Sequence, residues 1–334
     1  MVCGCKRTGS ADGGPLNDQC AGTESSLSVT DACLARDALI VENREMGSAY
    51  YAAELRRELA LRNQRWAKRP GLVSESSYGA MPVTVYAPTE DGQTHGNFHD
   101  ECYREICARP GWVSRFGKVH TSARKALPKA DRRWRELDSS MSSDALLMNV
   151  FCYPGVSSLP AVIGMLGLED VQEPEYGVKA KVPLTNGRFD RTEVDMRLGP
   201  LLVESKLTES DFQSKDVEIV KGYRDFEVVF QKGYLPKVDG KYSGYQLIRN
   251  VLAAYATDAS FCVMHDARRP DLREQWYEVM QAVKLTDLRW RCKVLTWQEL
   301  CAALPEALQE FLDWKYGIVA PGRTPSSLEN AGDD

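Results

Sequence analysis

The sequence lacks several features that would assign it to other classes of protein. No apolar run approaches the roughly 18 residues that a membrane-spanning helix requires. The start of the chain, Met1 to Arg7, contains no apolar stretch of the kind that secretory signals carry. No internal repeat is visible, which argues against solenoid and propeller architectures. We therefore expect a soluble, cytoplasmic protein without a membrane partner.

The cysteines give no sign of a disulfide framework or of a zinc site. The ten cysteines are scattered, and no Cys-x-x-Cys pair occurs among them. Several lie inside apolar runs, as Cys262 does between Phe261 and Val263. Buried, reduced thiols in a cytosolic protein are the simplest interpretation of this pattern.

The charge distribution further limits which functions fit the sequence. A net charge of −5 argues against a protein that binds polyanions over its whole surface. Between Arg104 and Arg135, however, the only acids are Glu105 and Asp131. The other basic residues of this segment are Arg109, Arg115, Lys118, Arg124, Lys125, Lys129, Arg132 and Arg133. Such a segment predicts contact with a phosphate backbone, and a solvated basic face is the alternative interpretation.

What the sequence does contain is a hairpin pattern between Arg191 and Leu207. Gly199 and Pro200 predict a two-residue turn of type II′, because glycine accepts a positive φ at the first position and proline fits the second. This turn places Leu198 directly opposite Leu201. The register of the two strands follows from that pairing.

In this register the hairpin gathers charged side chains on one face. Asp195 lies opposite Glu204, and alternation along each strand adds Glu193 and Lys206 to the same face. The intervening side chains, expected on the opposite face, are Val194, Met196, Val203 and Ser205. Three acids and one lysine are therefore predicted to converge on one patch of sheet.

Such a cluster has a chemical interpretation. Like charges that face each other across two strands are destabilising, so the carboxylates need a cation. Hard divalent cations such as Mg²⁺ take oxygen ligands, and a bound Mg²⁺ can polarise a phosphodiester. A neighbouring lysine can orient the attacking water or stabilise the developing negative charge. The alternative is an exposed hairpin face held together by salt bridges.

The pattern resembles the PD-(D/E)XK nuclease superfamily, whose fold is restriction-endonuclease-like. Asp195, followed by Glu204 and Lys206 on the next strand, is similar to its D…(D/E)-x-K signature. The flanking residues resemble a bacterial group of restriction-type endonucleases: they are Ser142, Ser143, Asn149 and Phe151 before the hairpin, and Gln246, Leu247, Arg249 and Asn250 after it. Val194 stands where the signature often has proline.

The resemblance covers roughly Arg132 to Ile318 and implies an α/β fold. Its core has the order αβββαβ, with a mixed sheet flanked by helices, and an N-terminal helical extension precedes it here. The residues themselves predict a first core strand over Val178–Leu184, a helix over Tyr245–Ala256 and a buried strand over Ala259–His265. Pro128 to Phe151 is expected to be helical, in one helix or two.

The resemblance also implies the metal ligands and the catalytic residues. Asp195 and Glu204 are expected to bind Mg²⁺ or Mn²⁺, and Lys206 is expected to position or activate the attacking water. Superfamily members often carry a further acid on the first core helix. Glu136 is the preferred match because of its side-chain type, and Asp144 is the alternative.

Other residues are expected to contact the substrate. On the Tyr245–Ala256 helix, Gln246 is expected to support catalysis and Arg249 to bind a phosphate, since arginine suits phosphate through its planar fork. Arg132 and Arg133 are expected to hold the DNA backbone. Glu193 is a further candidate ligand of the metal.

The predicted domains follow from these assignments. Residues 1–30 are rich in small polar residues and are expected to lack fixed structure. Residues 31–127 form the helical extension, which includes a helix over Ser48–Lys68. The nuclease-like domain spans residues 128–318, and residues 319–334 form a disordered tail.

Together these observations predict a metal-dependent DNA endonuclease with a restriction or defence role. The alternative is a non-catalytic module of the same fold that binds nucleic acid or protein. The expected partners are DNA, a second copy of the chain in a homodimer, and a separately encoded methyltransferase or other component of the same system.

Overall fold

The computed structural model describes residues 29–76, 82–119 and 134–327. The chain divides into two compact units, residues 1–42 and 43–334. In the first unit the described backbone is helical from Val29 onward. All features that position the functional site belong to the second unit.

The described residues form helices before, between and after the strands. The helices are α1 (Val29–Trp66), α2 (Asp100–Ala108), α3 (Pro110–Val113), α4 (Ser143–Phe151), α5 (Pro160–Leu166), α6 (Val217–Val220), α7 (Phe226–Val229), α8 (Tyr245–Ala256), α9 (Pro270–Gln281), α10 (Thr286–Arg291), α11 (Trp297–Cys301) and α12 (Glu306–Tyr316). Single 3₁₀ turns occur at Ser114–Gly117, Glu136–Asp138 and Val156–Ser158.

The strands belong to one central sheet and three small ones. The strands are β1 (Val73–Ser76), β2 (Thr84–Ala87), β3 (Pro174–Lys179), β4 (Val182–Pro183), β5 (Phe189–Asp190), β6 (Glu193–Leu198), β7 (Leu201–Ser205), β8 (Ser214–Asp216), β9 (Lys237–Val238), β10 (Lys241–Ser243), β11 (Ser260–His265) and β12 (Cys292–Thr296).

The central sheet has five strands in the order β12-β11-β7-β6-β3. Strands β3, β6 and β7 pair antiparallel, whereas β11 is parallel to both β7 and β12. The chain order α4, β3, β6, β7, α8, β11 is the predicted αβββαβ order. The expected α/β class, with a mixed sheet flanked by helices and an N-terminal helix, is therefore confirmed.

The hairpin of β6 and β7 turns as its sequence requires. Leu198 pairs with Leu201, and Gly199 has a φ of +56°. Pro200 cannot adopt a positive φ, so the turn has the positive-then-negative φ sequence of type II′ rather than type I′. This part of the prediction is confirmed.

The two faces of the central sheet pack into separate hydrophobic clusters. Helix α8 covers one face, where its Leu247, Ile248 and Val251 pack with Leu202 of β7. Helices α4, α11 and α12 cover the other face, in the cluster that contains Val203. A helix on each face leaves the middle strands of the sheet without a solvated side.

Strand β6 changes faces at Asp195. Met196 packs in the cluster beneath α4, but Val194 packs in the cluster beneath α8. The prediction that Val194 shares a face with Met196 is therefore wrong. Strands β3 and β6 pair on both sides of Asp195, but Asp195 itself has no partner in this ladder. Gly177, the β3 residue at that position, has a φ of +66°.

Several element boundaries differ from the predicted ones. The first core strand begins at Pro174 rather than Val178. Of the region expected to be helical between 128 and 151, residues 143–151 form α4 and residues 136–138 form one turn. Within the described residues, no helix is long and apolar enough to span a membrane.

Candidate active site

Glu204 and Lys206 form a buried ion pair at the end of β7. The Lys206 Nζ donates a hydrogen bond of 2.7 Å to Glu204 Oε1. Glu204 is 1% exposed and Lys206 is 4% exposed. Strand β7 is buried throughout because β6 and β11 flank it and helices cover both faces. An exposed hairpin face held by salt bridges therefore does not describe this pair.

Helix α8 holds the second oxygen of Glu204. Asn250 Nδ2 donates to Glu204 Oε2 at 2.7 Å, and the Arg249 guanidinium lies 3.8 Å from the same oxygen. Burial acts to raise the pKa of Glu204, but Lys206 and Arg249 outweigh it, so that the pKa is lowered. The carboxylate is therefore kept ionised inside the protein.

The lysine is fixed through its backbone as well as its ammonium group. The Lys206 N–H donates to the carbonyl of Met264 at 2.8 Å, and its carbonyl accepts from Trp297 Nε1 at 3.0 Å. Burial acts to lower the pKa of Lys206, but the nearby acids, Glu204 first, outweigh it and raise the pKa above its ordinary value. Lys206 is thus a positioned cation.

Asp195 lies beside this pair, at the point where the hairpin ladder ends. Backbone pairing stops at Met196 and Val203, and beyond it the Ser205 N–H donates to Asp195 Oδ2 at 2.8 Å. Burial, and then the negative charges of Glu204 and Asp144, raise the pKa of Asp195 well above its usual range. The surroundings of Asp195 therefore favour an added positive charge, either a proton or a metal cation.

A second group of charges adjoins Asp195 at the start of α4. Asp144 Oδ2 accepts from Arg115 at 2.7 Å and from Lys118 at 2.6 Å. Arg115 also donates to Glu193 Oε2 at 3.2 Å. A Cβ atom on Gly177 would lie 2.1 Å from the Arg115 guanidinium, so the guanidinium occupies space that only glycine leaves open.

This arrangement bears on the acid of the first core helix. Asp144 lies in the first turn of α4 and raises the pKa of Asp195 by its charge. Glu136 lies in the 3₁₀ turn before α4 and is not among the largest influences on Asp195. The structure thus brings Asp144 to the side of Asp195.

The other predicted site residues occupy less exposed positions than expected. Arg249 is buried, and its guanidinium donates to Asn250 Oδ1 at 2.9 Å and to the carbonyl of Glu193 at 3.1 Å. The Gln246 Oε1 is buried and accepts no hydrogen bond from the described part of the chain. Arg132 and Arg133 lie outside the described residues.

Three contributions to the site were missed by sequence reasoning. Asn250 follows Gln246 by one helical turn, and this spacing could have identified it as a site residue. Glu209 accepts from the Ser143 hydroxyl at 2.5 Å and supports Lys206 electrostatically. Arg115 and Lys118 were expected to face a phosphate backbone, and no local pattern indicates their pairing with a distant aspartate.

The donor set fits a hard divalent cation. Within the described ranges, no group of three or more His, Cys, Asp and Glu side chains is arranged to hold a metal ion. Magnesium commonly takes one or two carboxylates and completes its shell with water and substrate phosphate. Asp195 and Glu204 supply two carboxylates, and the raised pKa of Asp195 reflects the need for positive charge there.

Comparison with known proteins identifies a family for this chain. The sequence matches the family described as "Restriction Endonuclease associating with ARP" over residues 62–317, which include every element of the central sheet. No curated protein and no solved structure matches the chain significantly. The family match confirms the expected resemblance to restriction-type endonucleases and indicates a nuclease-like or defence role. The chain therefore belongs to the family of restriction endonucleases associating with ARP.

Proposed function

We propose that this protein is a metal-dependent DNA endonuclease that hydrolyses phosphodiester bonds in a restriction or defence system. The observation that carries the proposal is the buried Glu204–Lys206 pair beside Asp195. Burying a carboxylate and an ammonium group costs several kcal/mol of lost hydration per ion, by rough estimate. The protein keeps this unfavourable charged cluster on two central strands. A catalytic role explains the cluster better than a contribution to stability does.

In this proposal Asp195 and Glu204 hold the metal, with Asp144 as an electrostatic neighbour. When bound, Mg²⁺ or Mn²⁺ supplies Lewis-acid polarisation of the scissile phosphate. Lys206 orients the water that attacks phosphorus and stabilises the charge that develops. As the new bond to phosphorus forms, the attacking water releases a proton to solvent; the bond from phosphorus to one sugar oxygen breaks, and that oxygen takes a proton from solvent. Asn250 keeps Glu204 in place throughout.

The residues of α8 have separate roles in this proposal. Gln246 Oε1 can accept a hydrogen bond from the attacking water, because this buried oxygen has no donor among the described residues. Arg249 is already bonded to Asn250 and to the carbonyl of Glu193. We therefore assign Arg249 to positioning Glu204 rather than to direct binding of phosphate.

The test is cleavage of supercoiled plasmid and of single-stranded DNA in Mg²⁺, Mn²⁺ or EDTA. Asp195→Asn is the sharpest variant, because the amide oxygen can still accept the Ser205 N–H while the negative charge is lost. Cleavage should fall by at least about a hundredfold, since several kcal/mol of metal-dependent stabilisation are removed. Asp258→Asn is the matched control, because Asp258 lies in an exposed turn after α8.

The outcomes separate an enzyme from a binding module of the same fold. Metal-dependent cleavage that Asp195→Asn abolishes and Asp258→Asn retains supports the enzyme. Equal cleavage by both variants would contradict the assigned site. If the folded wild type cleaves nothing, calorimetric titration with Mn²⁺ decides next, because a non-catalytic module has no need to bind metal at Asp195 and Glu204.

The family description adds a partner. Its printed name says that members associate with ARP. We propose that this chain also associates with a separately encoded ARP, in place of or in addition to the predicted methyltransferase. Co-expression of the two genes and copurification would test the association. Cleavage that appears only in the copurified complex would show that the partner is required.

A further inference from the structure

Of the described residues, four cations lie around the candidate active site, and the exposure of their side chains differs sharply. The side chains of Lys206 and Arg249 are each 5% exposed, and that of Arg115 is 9% exposed. The side chain of Lys118 is 31% exposed. A phosphate group that approaches from solvent can therefore reach the Lys118 ammonium group more readily than the other three.

We propose that Lys118 is a phosphate-binding residue of this site, held ready by Asp144 and Arg115. The proposal rests on the nuclease function proposed above and names the group through which the site first contacts its substrate. It also gives Asp144 a role other than metal binding. In that role the Asp144 carboxylate positions Lys118, which precedes α4 in the chain.

The hydrogen bonds of Asp144 allow Lys118 to change partner. Arg115 and Lys118 both donate to the same oxygen, Asp144 Oδ2. When Lys118 turns to a phosphate, Arg115 still pairs with Asp144, so no buried charge loses its only partner. The ammonium group sits on a flexible stem with three rotatable donors, which suits such an exchange.

The backbone of Lys118 is anchored while its side chain reaches solvent. Its N–H donates to the carbonyl of Arg115 at 3.0 Å, and its carbonyl accepts from the Glu136 N–H at 3.0 Å. Val119 forms an isolated bridge with Arg135. The fixed backbone limits the entropy that is lost when this partly exposed side chain binds a ligand.

The position of Lys118 relative to the metal ligands is also suitable. Arg115, which shares the Asp144 carboxylate with Lys118, also donates to Glu193, two residues before Asp195 on β6. Lys118 is therefore linked through Asp144 and Arg115 to the strand that carries one proposed metal ligand, while its own side chain is 31% exposed. A phosphate bound there would lie next to the proposed catalytic centre.

The experiment measures DNA affinity without any divalent cation. Fluorescence anisotropy of a labelled duplex in EDTA, over a series of salt concentrations, compares the full-length wild type with Lys118→Ala, Lys118→Arg and Lys293→Ala. Lys293 lies on β12, at the opposite edge of the sheet from β3, and is the charge-matched control. Thermal unfolding verifies that each variant is folded.

We expect Lys118→Ala to weaken binding about threefold to tenfold and to reduce the salt slope by about one, as the loss of one phosphate contact predicts. Lys118→Arg should retain most of the affinity, and Lys293→Ala should bind like the wild type. Equal affinity and slope for Lys118→Ala and Lys293→Ala would overturn the inference, as would a wild type that binds no DNA. The assay measures binding and needs no cleavage. If the protein depends on Lys118 to bind DNA but never cleaves it, only the proposed hydrolysis is refuted.

Discussion

Two lysines in the part of the chain that the structure describes are almost completely buried, and their surroundings differ. Lys206 is 4% exposed and pairs with Glu204, while Glu209 and Asp195 add further negative charge. Lys315 is 0% exposed, and its ammonium nitrogen donates to neutral oxygens, Asn63 Oδ1 at 2.8 Å and the Gly96 carbonyl at 3.1 Å. The pKa of Lys206 is raised, whereas burial and then Arg69 lower the pKa of Lys315 well below its usual value.

The comparison shows that burial alone does not decide the charge of a lysine. Besides its two hydrogen-bond acceptors, the Lys315 ammonium nitrogen faces aromatic rings, with the Tyr86 ring centroid at 4.1 Å and that of Trp66 at 5.5 Å. These rings favour the cation only weakly, and desolvation outweighs them. Lys315 joins α12 to α1 and to the Gly96 turn, which is a structural role. At Lys206 the fold imposes a positive charge, as the proposed chemistry requires.

The largest expected difference comes from replacing each lysine by methionine. Lys206→Met should abolish cleavage and lower the free energy of unfolding by about 3–5 kcal/mol, because Glu204 loses its closest partner inside the protein. Adding Glu204→Gln should restore most of the stability but none of the activity. Urea unfolding and the plasmid assay measure the two effects. A fully active Lys206→Met variant, without the second change, would refute the role of Lys206.

Lys315→Met should have the opposite effect and raise the free energy of unfolding by about 0–2 kcal/mol near pH 7. Neither acceptor is left without a donor, because Tyr86 also donates to Asn63 Oδ1 and Trp66 to the Gly96 carbonyl. Activity should be unchanged. A loss of several kcal/mol would show that the ammonium group is essential to the fold.

The pH dependence of stability sharpens the same comparison. A lysine whose pKa is lower in the folded state binds fewer protons there than in the unfolded chain, so stability rises with pH from the folded pKa up to the unfolded value of about 10.4. The advantage of Lys315→Met over the wild type should therefore shrink as pH rises through that window. Urea unfolding in mildly acidic and in alkaline buffers tests this. A difference that is constant with pH would mean that Lys315 stays protonated in the folded protein.

The smallest expected effect is that of Tyr86→Phe. This change keeps the ring beside Lys315 and removes a hydroxyl that donates to Asn63 at 3.1 Å. The free energy of unfolding should fall by about 1 kcal/mol, the usual net value of one hydrogen bond. The pH dependence attributed to Lys315 should persist, and its disappearance would contradict the assignment.

Local patterns predicted the elements that depend on nearby residues. Helix α8 was predicted over Tyr245–Ala256 and occupies those residues, because its apolar spacing identifies the buried face. The hairpin register followed from Gly199 and Pro200. Thr296 and Glu299 form a capping box at the start of α11, which is another contact between residues close together in the sequence.

The features that local patterns did not predict depend on contacts between distant parts of the chain. Strict alternation failed at Val194, because the pairing of β6 with β3 lacks the Gly177–Asp195 pair and no period of two contains that information. The pairing of Arg115 and Lys118 with Asp144 joins residues 26 to 29 positions apart. The roles of Glu136, Gln246 and the other site residues, and the domain boundaries, stay predictions.

The parallel pairing of β7 with β11 has a consequence for the order of folding. Strands β6 and β7 are joined by two residues, whereas β7 ends at Ser205 and β11 begins at Ser260. Hairpins form within about microseconds, and pairings that close long loops form later. Asp195 and Glu204 therefore meet before α8 can bring Asn250 to Glu204. We expect the rate of folding, as well as the final stability, to depend on the charge of that glutamate.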